Sequence, residues 1–196
     1  GFLVGKGGIK RGDQVLIVGA SGSVGSAAVQ IAKHFGATVT GICSTAIVEL
    51  VRSLGADKVI DYTKEDLGEA YDIILDTTGT TPLPRADSAL KTGGRLLLVL
   101  GTFAQAMGFE RPSRKSGKKV IAGVTSTRPE DIQMLADLAE AGTFKPAIDR
   151  SDPLDHAVEA HAYVDKGCKR GSVVLTIAQG VAAPRAKVLR AGEELA

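Results

Sequence analysis

The sequence predicts an α/β fold, a doubly wound parallel sheet in three αβα layers, and three observations carry that prediction. Short apolar runs alternate with segments whose apolar residues return every three or four positions. Two of the runs, QVLIV at 14–18 and RLLLVLG at 95–101, are too apolar to face water and read as strands covered on both sides. Between the first run and the first helical segment stands a glycine-rich turn, GASGSVG at 19–25.

Taken in order, QVLIV is bounded by Gly12 and Gly19 as a central strand should be. SVGSAAVQIAKHFG then reads as a helix with Val24, Ala27, Ala28, Ile31 and Phe35 as its apolar stripe and Gly36 as its stop. TVTGIC (38–43) is a β-branched, apolar second strand, followed by a helix from Thr45 to Leu54 that ends at Gly55. DKVIDY and YDIILDTTG supply two further strands, LPRADSALKTGG a short helix with a glycine stop, RLLLVLG a fifth strand and KKVIAGVTS a sixth. RPEDIQMLADLAEAG places Pro129 at a first helical position and Glu130 and Asp131 in the first turn, where the helix dipole favours acids. DPLDHAVEAHAYVDKG reads as a helix and RGSVVLTI as a final strand. Repeated strand–helix–strand units require right-handed crossovers, hence a parallel sheet with helices on both faces. Residues 1–177 read as one such domain and 178–196 as a tail without an assigned role.

The composition narrows the partners. With 24 basic and 22 acidic residues the net charge is +2, too balanced for nucleic acid or an acidic membrane surface, so a small-molecule partner is expected. The two cysteines, Cys43 and Cys168, form neither a disulfide framework nor a C-x-x-C pair, which suits a reducing, cytoplasmic compartment. No apolar run comes near the roughly 18 residues of a membrane span.

In the glycine turn the spacing is Gly19-x-x-Gly22-x-x-Gly25, with Ala20-x-Gly22-x-x-Gly25 as a degenerate dinucleotide fingerprint. Such a turn needs a sharp exit from the strand, an open backbone where a pyrophosphate approaches, and a small residue where helix crosses strand. N–H groups around Ser23 and Val24 would then point at phosphates from the helix N-terminus. Tight helix–strand packing is the competing explanation for the same glycines. An acid usually stands at the end of the second strand to hold the ribose hydroxyls of NAD. Here that stretch reads GICST, and its Ser44-Thr45 end leaves room for the 2′-phosphate of NADP; lax discrimination is the alternative.

These residues, with LVRSLGADKVIDYTKED, YDIILDTTG and AGTFKPAIDRSDPLDHAVEAHAYVDKGCKRGSVVLT, resemble the cofactor domain of medium-chain dehydrogenases/reductases. The similar branch is the zinc-independent one of quinone oxidoreductases and enoyl or alkenal reductases, and the match runs from residue 8 to 177. The resemblance implies a Rossmann domain that binds NADP(H), with hydride passing from NADPH to a quinone or an activated alkene. It places Gly22, Ser23, Val24 and Gly25 on the pyrophosphate turn, with Gly19, Ala20 and Ser21 ahead of them also cofactor-binding, and Ser44 and Tyr62 at the 2′-phosphate. Thr78 and Gly79 would meet the adenosine ribose, Gly101 and Thr102 the nicotinamide ribose, and Val124 to Ser126 the nicotinamide. Relatives carry an N-terminal GroES-like catalytic domain that this chain lacks, so the chain is expected to bind cofactor and turn over poorly. In relatives the sixth strand often pairs with a dimer mate, which would make KKVIAGV the interface of a homodimer.

Two departures stand out. Where NADPH-specific relatives have a lysine three residues after Ser44 this chain has Ile47, for which Lys64 or Arg52 would have to compensate. FERPSRKSGKK (109–119) holds five basic residues and one acid where relatives are more apolar, and reads as a solvated loop.

Other residues point to nothing catalytic. His156 and His161 lie five apart, about 140° around a helix, so they do not share a metal. His34 near a helix C-terminus suits the exposed carbonyls there, and Asp76 reads as a structural hydrogen-bond acceptor. No Tyr-x-x-x-Lys is present, against a short-chain dehydrogenase. A nucleotide-sensing or interaction module with the same fold is the alternative to an enzyme, and a methyltransferase is disfavoured by the acid-free GICST.

Overall fold

The computed structural model describes residues 1–68, 70–100, 117–123, 125, 128–167 and 169–177. Strands β1 (Gln14–Val18), β2 (Thr38–Cys43), β3 (Lys58–Asp61), β4 (Tyr71–Asp76), β5 (Leu90–Leu98) and β6 (Lys119–Ile121) form one parallel sheet. Their order is β3-β2-β1-β4-β5-β6, so the chain winds outward from β1 in one direction and from β4 in the other. The reversal between β1 and β4 leaves a crevice at their carboxyl ends, where such sheets take their ligands.

The apolar runs become strands because alternate side chains fill two different cores. Val15 and Ile17 join Val39, Ile73, Leu75 and Leu97 on one face, under Ala28, Val29 and Ala32 of α1 (Ser23–His34) and Leu50 and Val51 of α2 (Val48–Ser53). Leu16 and Val18 join Ile42, Ile60, Ile74, Leu96 and Leu98 on the other, under Ala86 and Ala89 of α3 (Leu83–Ala89). Each fully buried branched side chain of β1 contributes roughly 1.5–3 kcal/mol, which fixes the strand in the middle of the sheet.

The expected three-layer doubly wound sheet is therefore present, with four local corrections. The buried stripe of α1 is Gly25, Ser26, Ala28, Val29 and Ala32, while Val24 is half exposed. Helix α3 stops at Ala89, ahead of the predicted glycine stop. Leu90 already pairs with Tyr71, and the Lys91–Gly94 stretch forms an irregularity before Arg95 pairs with Ile73. The predicted helix at 152–167 begins later. Residues Ile148–Pro153 form an unpredicted strand, β7, and a 3-10 turn at Leu154–His156 precedes the helix Ala157–Asp165. The final strand, β8 (Ser172–Thr176), does not extend the main sheet but pairs in parallel with β7 as a separate two-stranded sheet.

That small sheet is tied to the crevice. Gly171, just ahead of β8, bridges to Gly22, and its N–H donates to the Ser21 carbonyl at 2.7 Å. The remaining long helix, α4 (Pro129–Glu140), has the expected proline at its start and Asp131 in its first turn, bonded to Arg128 at 3.0 Å; α5 is Ala157–Asp165.

Candidate functional site

The three turn glycines serve three different ends. Gly19 has φ +76, and a Cβ there would meet Thr77 Oγ1 and Thr78 Cγ2 at 2.6 Å, so only glycine makes the exit from β1. At Gly25 a Cβ would lie 2.0 Å from the Gly19 carbonyl oxygen, which makes this the point where α1 crosses β1. Gly22 differs. Its φ of −76 suits any residue, and the nearest atom to a Cβ would be the Gly19 carbonyl at 3.6 Å. The protein's own packing does not demand glycine at 22; what glycine leaves there is open backbone at the cap of α1.

The first N–H groups of α1, on Ser23, Val24 and Gly25, have no carbonyl one turn earlier to bond and aim outward. A cation stands beside them. Lys169 Nζ donates to Ser23 Oγ at 2.6 Å and to the Gly171 carbonyl at 2.8 Å, and Ser23 Oγ also donates to Gly171 at 2.9 Å. Among the described residues this ammonium bonds only neutral oxygens, so its charge is uncompensated at the place where the helix dipole is also positive.

Across the crevice Asp76 organises the loop after β4. It is fully buried, and its carboxylate accepts from Thr78 N, Thr78 Oγ1 and Gly79 N at 2.8 Å and from Thr81 N at 3.0 Å. Burial pushes its pKa up, but the bonds from Thr81, Thr78 and Gly79 outweigh it and hold the group below the ordinary carboxylate value. Asp76 is thus the structural acceptor its sequence position suggests, and Thr78 and Gly79 are set by it. Thr77 Oγ1 donates to the Val18 carbonyl at 2.8 Å and locks this loop against the glycine turn.

At the third side, Asp61 ends β3, and bonds from Thr45 and Thr63 hold its carboxyl well below the usual range. Its oxygens are taken by Thr45 Oγ1, by Thr63 N at 3.0 Å and Oγ1 at 2.7 Å, and by Lys64 at 3.4 Å. Ser44 is half-buried and Tyr62 exposed, and both line the cleft.

Together these loops enclose a cleft of about 750 Å3 lined by Gly19, Ser21, Ser44, Tyr62 and Thr78. Of the other expected site residues, Ala20 is fully buried and shapes the turn, and Gly22, Ser23, Val24, Gly25 and Gly79 form its frame. Gly101, Thr102, Val124 and Ser126 lie outside the described residues, as does most of the basic stretch 109–119. Arg52 and Lys64, the proposed substitutes for the missing lysine, are paired with Glu49 and Asp61 and do not line the cleft.

Sequence reasoning missed the cleft's cations: Arg85, Lys169 and Arg170 all line it, and among the described residues no carboxylate does. The Lys-Arg pair directly before a glycine-headed strand was the visible trace, but nothing in the chain order shows that it returns to a turn almost 150 residues earlier. Cys43 also borders the cleft; burial, and then the Asp61 carboxylate, push its thiol up to about 11, so it stays protonated.

A parallel sheet with a glycine turn, a helix N-terminus and a cationic cleft at its switch point defines a nucleotide-binding domain of the Rossmann type. The family model of zinc-binding dehydrogenases matches residues 54–175, more than half of the chain, and the chain belongs to that family. Over 177 residues it is 35% identical to a 2-methylene-furan-3-one reductase of Solanum lycopersicum, covering 87% of this chain and 42% of the relative. To an Arabidopsis thaliana chloroplastic NADPH-dependent alkenal/one oxidoreductase it is 33% identical over 171 residues, 84% of this chain and 40% of the relative. The solved quinone oxidoreductase of Coxiella burnetii superposes with a TM-score of 0.80 at 26% identity, covering 89% of this chain and 56% of that one. The chain thus spans less than half the length of the two curated relatives.

Zinc, which the family's description implies, does not fit the residues present. No three His, Cys, Asp or Glu side chains gather for a metal among the described residues, and Cys43 holds its proton. Nor is any helix among the described residues long and apolar enough to cross a membrane.

Proposed function

We propose that this chain is the NADP(H)-binding part of an oxidoreductase that reduces a quinone or an activated alkene such as an enone or alkenal. The observation that carries the reading is Lys169, an ammonium without a carboxylate partner among the described residues, held against Ser23 next to the open Gly22 position. A bound nicotinamide cofactor supplies the hydride. The chain's own residues do the holding. The N–H groups of Ser23, Val24 and Gly25 and the Lys169 ammonium take the pyrophosphate. Thr78 and Gly79, fixed by Asp76, set the adenosine ribose, and Ser44 and Tyr62 border the 2′-position. Gly101, Thr102, Val124 and Ser126 are assigned to the nicotinamide end on the family resemblance alone. The names of the tomato and Arabidopsis relatives support the substrate class, and the second of them supports NADPH.

Because the family's catalytic groups come largely from a GroES-like domain, the reading has this chain binding cofactor with slow turnover. A homodimer through β6 is part of it, supported by the position of β6 at the sheet edge. So is a cytoplasmic setting, supported only by the two-cysteine composition. Calorimetric titration with NADPH and NADH at matched ionic strength is the test. Binding with NADPH preferred is expected, and no binding of either nucleotide refutes the reading.

A further inference from the structure

Ile47 leaves the 2′-phosphate without the lysine that the resemblance leads one to expect, and the structure offers a different cation. Arg85, in the first turns of α3, lines the cleft. Its head pairs outside the cleft lining with Asp66, on the loop that leaves β3: Nε and one terminal nitrogen both donate to the same oxygen, Asp66 Oδ1, at 2.8 and 2.5 Å. The second terminal nitrogen donates to nothing among the described residues, so the guanidinium has N–H groups in hand.

Three features place this head at the 2′-end of the cleft and away from the pyrophosphate. The loop that holds Asp66 is the one that carries Tyr62. Lys64 N and Glu65 N both donate to the Asp61 carbonyl at 2.9 Å, a tight turn that carries the chain from Tyr62 directly to Asp66. Leu67, next to Asp66, is buried, lines the cleft with Tyr62 and Ser44, and is pinned by Tyr71 Oη donating to its carbonyl at 2.9 Å. Of the three lining cations, Lys169 and Arg170 belong to the Gly171 side, which leaves Arg85 alone at this end.

We infer that Arg85 is the specificity residue for the 2′-phosphate, trading Asp66 for the cofactor's phosphomonoester when NADPH binds. This rests on the cofactor reading above. The exchange is downhill on simple grounds. Asp66 is 82% exposed and offers one charge through one oxygen, and an exposed pair of that kind is weak. A phosphomonoester offers close to two charges and three acceptor oxygens in the geometry a guanidinium fork matches. The one acid at the neighbouring strand end, Asp61, is saturated by Thr45, Thr63 and Lys64 and does not compete.

The test is calorimetric titration of this chain and of Arg85→Ala with NADPH and with NADH. The wild-type chain is expected to prefer NADPH. The variant should lose roughly ten- to hundredfold in NADPH affinity, as for a charge-assisted bond, while NADH stays within about twofold. Asp66→Asn, which frees the guanidinium, should tighten NADPH severalfold and leave NADH unchanged; a merely structural bridge would not do this. Equal losses for both nucleotides in Arg85→Ala would mean that Arg85 covers the adenine instead, and unchanged preference would mean that it does neither; each overturns the assignment. Wild-type binding without preference overturns it as well but leaves the cofactor reading standing. Failure of the wild-type chain to bind either nucleotide overturns the reading beneath it. Should Arg85→Ala not fold, Arg85→Gln keeps an unbranched polar side chain without the charge and serves in its place.

Discussion

Replacing Lys169 by alanine isolates the charge at the phosphate turn from everything else in the cleft. One ammonium about 4 Å from a phosphate charge is worth at most about 4 kcal/mol at the effective dielectric of a protein surface. The cleft is open to water, and the side chain must give up its bonds to Ser23 Oγ and Gly171 before it reaches a ligand. What remains is the net worth of a hydrogen bond to a charged group, about 1.5–3 kcal/mol, or roughly 10- to 150-fold in affinity. NADPH and NADH share the pyrophosphate, so both should weaken by the same factor, in contrast to the one-sided loss expected at Arg85. Calorimetry at several salt concentrations measures it, and the variant's affinity should fall less steeply with salt. Lys169 is only half-buried and its partners are neutral, so the melting temperature should move little. Wild-type affinity for both nucleotides in a folded Lys169→Ala chain would remove the observation on which the cofactor reading rests.

The glycines give a paired prediction. Gly25→Ala forces a Cβ to 2.0 Å from the Gly19 carbonyl and should destabilise by about 3 kcal/mol or more in urea melts. Gly22→Ala meets nothing closer than 3.6 Å, so it should melt within about 0.5 kcal/mol of wild type yet bind nucleotide at least tenfold more weakly. Asp76→Asn tests the loop after β4. The folded-state pKa is lowered, so the ionised group's contribution is present above the unfolded value near 3.9 and is lost as pH falls through the folded value. The variant should therefore be less stable at pH 7, by about 1–3 kcal/mol, and the gap to wild type should shrink below about pH 4. Cys43, with its thiol pushed up to about 11, should resist alkylation at pH 7.5 until the chain is unfolded, as peptide mapping will show.

Much of the architecture was legible because buried parallel strands cannot hide. The centres of these strands, Val15–Val18, Ile73–Leu75 and Leu96–Leu98, are apolar at every position since each is covered twice, and that is a local property of the sequence. β7 was not legible for the opposite reason. Its residues, Ile148–Pro153, include three charges and end in proline, and they are held as a strand by their partner β8, not by an apolar pattern of their own. The end of α3 was misplaced because Leu90 is drawn into a strand pairing with Tyr71 before the glycines are reached. In the site, the glycine turn was readable from spacing, although spacing did not separate Gly25, which packing requires, from Gly22, which it does not. The cations Arg85, Lys169 and Arg170 were unreadable as site residues, since surface charge on a helix or turn looks the same whether or not a cleft lies beneath it.

The bonds between Gly171 and the glycine turn bear on when the site comes into being. Ser23 and Gly171 are 148 residues apart in the chain. At a synthesis rate of roughly 5–20 residues per second, β1, the turn and α1 wait about 7–30 s for the segment that supplies Lys169 and the Gly171 carbonyl. During that interval the nascent chain has the glycines but not the cation, and the half-built turn is a poor anion receptor. Nucleotide affinity is consequently among the last properties the growing chain acquires, and cofactor capture is deferred until the polypeptide has emerged through residue 171.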